Sequence, residues 1–134
     1  MASPFSLEIV TPDKKFFEEE VEMVSVTGIE GQLGIMKNHI PLVTPLAISK
    51  IKIKQNGQTR VAAVAEGYVD VKKDKTIIVT DAAEWPDEID VNRAELAKKR
   101  AEEILESKRD NVDFTRAEIA LKKAINRIDV SKNK

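Results

Sequence analysis

Apolar and polar positions alternate with a period of two through the first part of the chain and of three to four in the rest. Phe5, Leu7 and Ile9 alternate with polar neighbours and stop at Thr11-Pro12-Asp13, which predicts a strand and a turn. Phe16-Phe17 and a run over 21–27 follow. In that run the alternation slips between Met23 and Val24, which predicts a bulge or a strand buried on both faces. Ile51 and Ile53 oppose Lys50, Lys52 and Lys54. The dipeptide Asn56-Gly57 suits the positive φ of a two-residue turn, so 48–54 and 60–65 form a hairpin. Another joins 68–71 to 76–80 through Lys72-Lys73-Asp74-Lys75. Short strands at this spacing predict a β-sandwich or barrel of roughly eight to ten strands.

Later the period lengthens. Ala94, Ala97, Ala101, Ile104 and Leu105 fall on one stripe of a first helix. Phe114, Ala117, Leu121, Ala124 and Ile128 form the stripe of a second, with Ile125 beside it. Asp87 and Asp90 are available to cap the first helix and Asp113 the second, with a polar turn over 107–111 between them. Two amphipathic helices on a connection of about 5–7 residues form an antiparallel hairpin. Alanine stripes bury little apolar area, so the hairpin depends on a neighbouring domain, a partner or a ligand.

Chain punctuation places the boundary. All five glycines and all five prolines lie at or before Pro86, and of the arginines only Arg60 precedes it. The expected division is a β domain over 1–86 and a helical domain over 87–134. Residues 89–94, Ile-Asp-Val-Asn-Arg-Ala, start the first helix, either as a plain linker junction or as a hinge.

Composition removes several function classes. Twenty-two basic against 23 acidic residues give a net charge of −1, so charge does not point to nucleic acid. There is no cysteine and His39 is the single histidine, which leaves no thiolate or multi-histidine metal site. No nucleophile–base pair stands out, and Glu18-Glu19-Glu20 reads as a solvated charge run; no catalytic residue is assigned. No apolar run approaches the ~20 residues of a membrane helix.

Two stretches stay open to function. The segment 28–42 carries Gly28, Gly31 and Gly34 interleaved with Ile29, Leu33, Ile35, Met36 and Ile40. It is either a bulged hairpin packed on its own core or a docking surface for another protein. On the helices, Arg93 and Arg100 are seven apart and Lys123 and Arg127 four apart, so each pair shares a face. If those faces meet, the cations suit a polyphosphate, with Asp90 or Glu84 accepting from a base or ribose and Ile89 and Ala94 against an adenine. The competing reading is an ordinary solvated helix face.

Several motifs carry a family resemblance. They are Val10-Thr11-Pro12-Asp13, Val21-Glu22-Met23-Val24, Glu30-Gly31-Gln32-Leu33-Gly34-Ile35, Asn38-His39-Ile40-Pro41-Leu42 and Glu66-Gly67-Tyr68-Val69-Asp70-Val71. Ile89-Asp90-Val91-Asn92-Arg93-Ala94 and Ala120-Leu121-Lys122-Lys123-Ala124-Ile125-Asn126-Arg127 continue the match into the tail. Together they resemble the epsilon subunit of bacterial F-type ATP synthase over essentially the whole chain.

The resemblance implies a ten-stranded β-sandwich followed by an antiparallel two-helix hairpin. It implies a non-catalytic subunit of the central stalk of a proton-translocating synthase, peripheral on the cytoplasmic face of the cell membrane. Its sandwich would meet the gamma subunit and the ring of c subunits, with Ile29, Glu30, Gln32, Leu33 and His39 towards the ring. The hairpin would be a regulatory arm that permits turnover when folded. Extended along gamma to the alpha and beta subunits, it would inhibit ATP hydrolysis. In bacillus-like members ATP is a regulatory ligand of the folded arm, not a required cofactor. Residue by residue, that implies Glu84, Ile89, Asp90, Arg93, Ala94, Arg100, Lys123 and Arg127 as its contacts. Lys123 departs from the tight-binding pattern, which has arginine; lysine keeps the charge and loses the planar fork, so weaker binding is expected. The alternative is a free-standing nucleotide-sensing β-sandwich module outside any synthase, separated by copurification with gamma and c subunits.

Overall fold

A strand that covers a core buries every second side chain, and the first strand sets that parity. In the computed structural model, which describes residues 3–107 and 111–133, β1 (Phe5–Val10) buries Phe5, Leu7 and Ile9. The Thr11 N–H and Oγ1 then both donate to the Lys14 carbonyl, at 2.9 and 3.0 Å, closing the expected turn. Strand β2 (Lys15–Val21) returns antiparallel to β1.

The expected single strand over 21–27 is instead the junction of two. Strand β2 ends at Val21, the chain bends at Glu22, and β3 spans Met23–Gly28. Val21 is buried before the bend and Val24 and Val26 after it, so the bend resets the parity. The slip in alternation marks a corner, not a bulge or a doubly buried strand. The Glu22 N–H donates to the Lys54 carbonyl at 2.8 Å, and the Glu22 Oε1 accepts from the Gly57 N–H at 3.1 Å.

The strands that follow are β4 (Gly31–Ile35), β5 (Leu42–Leu46), β6 (Ser49–Gln55), β7 (Gln58–Val64), β8 (Gly67–Val71), β9 (Lys75–Thr80) and the short β10 (Ala83–Glu84). Hydrogen bonding links ten strands in the order β10-β7-β6-β3-β5-β8-β9-β1-β2, with β4 paired to β3. Only β1 and β9 run parallel among the pairs. Strand β2, at one end of the order, meets β6 where the Gln55 side chain donates to the Glu19 carboxylate (2.9 Å) and the Glu20 carbonyl (3.0 Å). At the β6–β7 turn, Asn56 and Gly57 have φ of 53° and 76°, as the hairpin signal required. Gly67 is irreplaceable for a different reason: a Cβ there would lie 1.9 Å from the Val79 carbonyl oxygen.

The chain divides into two compact units between Glu84 and Trp85. The second opens with a single 3-10 turn, Pro86–Glu88, in which the Trp85 N–H donates to Glu88 Oε1 at 2.8 Å. Asp87, one of the two expected caps, lies inside this turn. Asp90 is the cap of α1 (Val91–Ser107): its Oδ1 accepts from the Arg93 N–H at 3.1 Å. Helix α2 spans Asn111–Ser131, so Asp113 falls within it instead of capping it. Helix α1 runs through Ser107, and the rest of the expected turn, 108–110, lies outside the described residues. Two helices this long, with three residues between them in sequence, pack along their length only if antiparallel. Among the described residues their buried apolar side chains are Ala94 and Ala101 on α1 and Ala117 and Ala124 on α2, with Val130 near the end. Phe114, expected in the stripe, is 40% exposed. No described helix is long and apolar enough to cross a membrane.

Candidate functional site

The alanine seam determines where the cations of the hairpin point. Ala94 and Ala101 are seven apart, as are Ala117 and Ala124; an antiparallel pair sets Ala94 across from Ala124 and Ala101 across from Ala117. Arg93 and Arg100 each precede a seam alanine by one residue, which turns them ~100° from the seam on α1. Lys123 precedes Ala124 by one residue, and Arg127 lies three beyond it, ~60° from the seam in the same rotational sense. Because α2 runs antiparallel, the same rotation brings its residues to the same side of the hairpin as those of α1. Arg93, Arg100, Lys123 and Arg127 therefore share one long edge of the helical unit. This is the arrangement a polyphosphate requires: several cations converging on one line, three of them with the planar fork that binds phosphate oxygens bidentately.

The remaining members of the set are placed differently. Asp90 holds the start of α1 through Oδ1 and caps Arg93, one of the edge cations, at the main chain. Ile89 and Ala94 are 5% and 0% exposed, so both side chains are structural parts here, with no surface available to an adenine. Glu84 lies on β10 opposite Ala63 and belongs to the sandwich unit; the other seven belong to the helical unit.

In the sandwich, the glycine-rich segment resolves into a regular antiparallel hairpin and a loop. Strands β3 and β4 pair from Val24↔Ile35 to Gly28↔Gly31 without a register shift, so the expected bulge is absent from this pairing. The turn is Ile29-Glu30, with Gly31 at φ 129° and Ile29 68% exposed. Glu30, Gln32 and Leu33 border a shallow cleft of about 230 Å³ with Leu42 and Thr44. His39 is not part of that cluster; it lies in the β4–β5 connection and lines a different cleft. Its Nδ1 is 2.7 Å from the Ile40 carbonyl, an acceptor only, so that nitrogen carries a proton.

The sequence reading missed the outer face beside this tip. Leu46 is buried on β5 and Val69 and Val71 on β8, so Val43 and Tyr68 point outwards; they are 65% and 44% exposed. Pro45 is the register partner of Tyr68, and its carbonyl accepts from the Ile29 N–H at 3.4 Å, which continues this face to the tip. The signal was available in the parity of β5 and β8, once Leu46 and Val71 are recognised as inward. Among the described residues the shifted pKa values lie elsewhere, raised at Lys15 and lowered at Glu18 on the surface of β2. Among the described residues no cluster of carboxylates and histidine is arranged to hold a metal.

Two family models cover this geometry. Residues 4–86 match "ATP synthase, Delta/Epsilon chain, beta-sandwich domain" and residues 87–132 match "ATP synthase, Delta/Epsilon chain, long alpha-helix domain". The chain is 57% identical over 134 residues to the ATP synthase epsilon chain of Alkaliphilus metalliredigens, covering 100% of both. It is 48% identical over 130 residues to that of Bacillus cereus, covering 97% of this chain and 98% of the relative. Among solved structures, a chain of the Euglena gracilis mitochondrial ATP synthase (OSCP/F1/c-ring) superposes with a TM-score of 0.85 at 21% identity. That match covers 98% of this chain and 83% of the other. A chain of the Tetrahymena thermophila mitochondrial ATP synthase central stalk and c-ring gives 0.62 at 14% identity, covering 98% and 96%. At such identities the structural likeness is one of fold.

Proposed function

This chain belongs to the ATP synthase delta/epsilon family as an epsilon chain, a non-catalytic subunit, and from that premise we propose a docking body joined to an ATP-responsive arm. The sandwich binds the gamma subunit and the ring of c subunits in the central stalk of a proton-driven synthase. Ile29, Glu30, Gln32 and Leu33 at the β3–β4 tip face the ring, on the cytoplasmic side of the membrane. The helical hairpin binds ATP when folded and inhibits ATP hydrolysis when extended towards the alpha and beta subunits. The structural neighbours are chains of an F1/c-ring complex and of a central stalk and c-ring, which supports the docking half of the reading.

One observation carries the regulatory half: Arg93, Arg100, Lys123 and Arg127 lie on one edge of a hairpin held by alanines. The triphosphate lies along that edge, and the second carboxylate oxygen of Asp90 accepts from the base or ribose. A ligand that binds only the folded arm stabilises it by about 2.7 kcal/mol at a hundredfold excess over Kd, sufficient to shift a balance of a few kcal/mol. Exposed Leu96, Phe114, Ile119 and Ile125 are the apolar side chains that an extended arm offers to its neighbours.

Calorimetry of the isolated chain with ATP tests the site directly. Saturable heat is expected, lost in an R93A/R127A variant and strengthened in K123R. No heat up to millimolar ATP overturns the ATP reading. In the assembled complex, truncation after Trp85 is expected to raise ATPase activity; unchanged activity removes the inhibitory role.

A further inference from the structure

Away from the β3–β4 tip, the sandwich has a second cleft, of about 260 Å³, between the β4–β5 connection and the β8–β9 turn. Four lysines line it, Lys37 from the first segment and Lys72, Lys73 and Lys75 from the second. Only Glu20 and Asp74 oppose them among the lining carboxylates. In a chain with 22 basic and 23 acidic residues, that is a local excess of cations. Lys72 reaches Asp70 at 3.8 Å and Lys75 reaches Glu8 at 3.7 Å, both near the limit of an ion pair. Among the described residues Lys37 and Lys73 have no ion-pair partner.

The walls are built, not loose. The turn that carries Lys37 is closed by the His39 N–H donating to the Met36 carbonyl at 3.2 Å, with Asn38 at φ 67°. The turn that carries Lys72 and Lys73 is closed by the Lys72 N–H donating to the Lys75 carbonyl at 2.8 Å. Beneath them Phe5, Val71 and Thr76 are buried, which ties both turns to the core.

We propose that this cleft is a binding site for a small phosphate-bearing anion, held between the lysines of the two turns. Lysine suits the role, as a mobile point charge with three donors that adapts to a tetrahedral oxyanion. The volume falls below the 300–1,000 Å³ typical of drug-sized ligands. It therefore fits one or two phosphate groups and not a whole nucleoside triphosphate. Two sources present that chemistry, a free phosphate or diphosphate and the headgroup of an acidic phospholipid. All its lining residues belong to the sandwich unit, and the proposal does not depend on ATP binding to the hairpin.

Amide-resolved NMR of the full chain with pyrophosphate is the test. Shifts are expected at Lys37, Asn38, His39 and residues 72–76, saturable and weakened by added salt. A K37Q/K73Q variant, with the rest of its spectrum unchanged, is expected to bind at least about threefold more weakly. Co-sedimentation with phosphatidylglycerol vesicles, against phosphatidylcholine vesicles, distinguishes the sources. Vesicle binding that K37Q/K73Q weakens, without pyrophosphate shifts, assigns a headgroup, and pyrophosphate shifts without vesicle binding assign a free anion. The proposal is overturned if neither probe binds, if K37Q/K73Q binds both as the native chain does, or if pyrophosphate shifts only residues of the helical unit.

Discussion

The sandwich and the hairpin are stabilised by different side chains. Of the largest fully buried side chains among the described residues, Leu7, Ile9, Ile35, Ile51, Ile53, Ile78 and five valines lie in strands, and only Val130 lies in a helix. The seam of the hairpin is four alanines, each contributing one methyl. Burying an isoleucine or leucine is worth ~1.5–3 kcal/mol and a methylene-sized group ~0.8 kcal/mol. The two units therefore differ several-fold in apolar stabilisation per buried residue. A body with a deep aliphatic core holds one shape. A shallow seam is what the proposed regulation requires of the arm, because a small stabilisation separates its packings.

The largest effect that tests the contrast is in the sandwich core. Ile53→Ala removes a fully buried side chain from β6 and should cost ~2–5 kcal/mol. Urea unfolding followed by amide signals of each unit reads it separately. The strands should unfold earlier while the helical signals keep their own midpoint. If both units shift together, they fold as one cooperative body and the contrast fails.

Much of this was legible in the pattern of residues, and the failures have physical causes. Parity located β1 and β6 because each buries one face, and the turn over 72–75 located β8 and β9. Asn56-Gly57 located a turn because few other dipeptides accept two positive φ values. Parity could not distinguish a bulge from a corner at Glu22, since either one resets the alternation. Asp113 looked like a cap because composition does not reveal how far upstream a helix has already started. At the candidate site, spacing paired Arg93 with Arg100 and Lys123 with Arg127. Whether the two pairs share an edge depends on which residues form the seam, and four buried alanines answer that. Ala94 stands on the apolar stripe of the first helix, and its burial follows that stripe and leaves no side-chain surface for an adenine.

A smaller effect should appear in the arm alone. Asp90→Ala removes the Oδ1 acceptor from the Arg93 N–H and should cost about 1 kcal/mol, confined to the helical unit. Hydrogen exchange should accelerate in the first turn of α1 and remain unchanged in the strands. Asp90→Asn keeps an acceptor oxygen and should restore the protection. If Asn restores protection but not ATP heat, the carboxylate has a ligand role beyond the cap; if it restores both, Asp90 acts through the cap.

The smallest expected effect asks whether surface charge contributes to the stability of the sandwich at all. Lys15 Nζ lies 2.6 Å from Glu18 Oε2 on β2 and 3.8 Å from Glu8 Oε1 on β1. Glu8 and Glu18 face each other across the two strands, so the lysine lies between like charges. Hydrogen bonding to Lys15 lowers the Glu18 pKa from its ordinary 4.5, and the same contact raises that of Lys15 above 10.5. A depressed carboxylate contributes stability above its unfolded pKa and loses it as pH falls through the folded value. The contribution of Glu18 is therefore complete at neutral pH and disappears only below about 4.5. Both side chains are about half exposed, so water and salt screen the pair and leave little net stabilisation. Titration followed by side-chain NMR should show the Glu18 carboxyl titrating below 4.5 in the native chain and the depression reduced in K15Q. The strand signals of both proteins should persist to the same acid midpoint. An earlier acid transition of the strands in K15Q would mean that the edge of the sheet relies on its ion pairs, and that the aliphatic core is not the whole difference between body and arm.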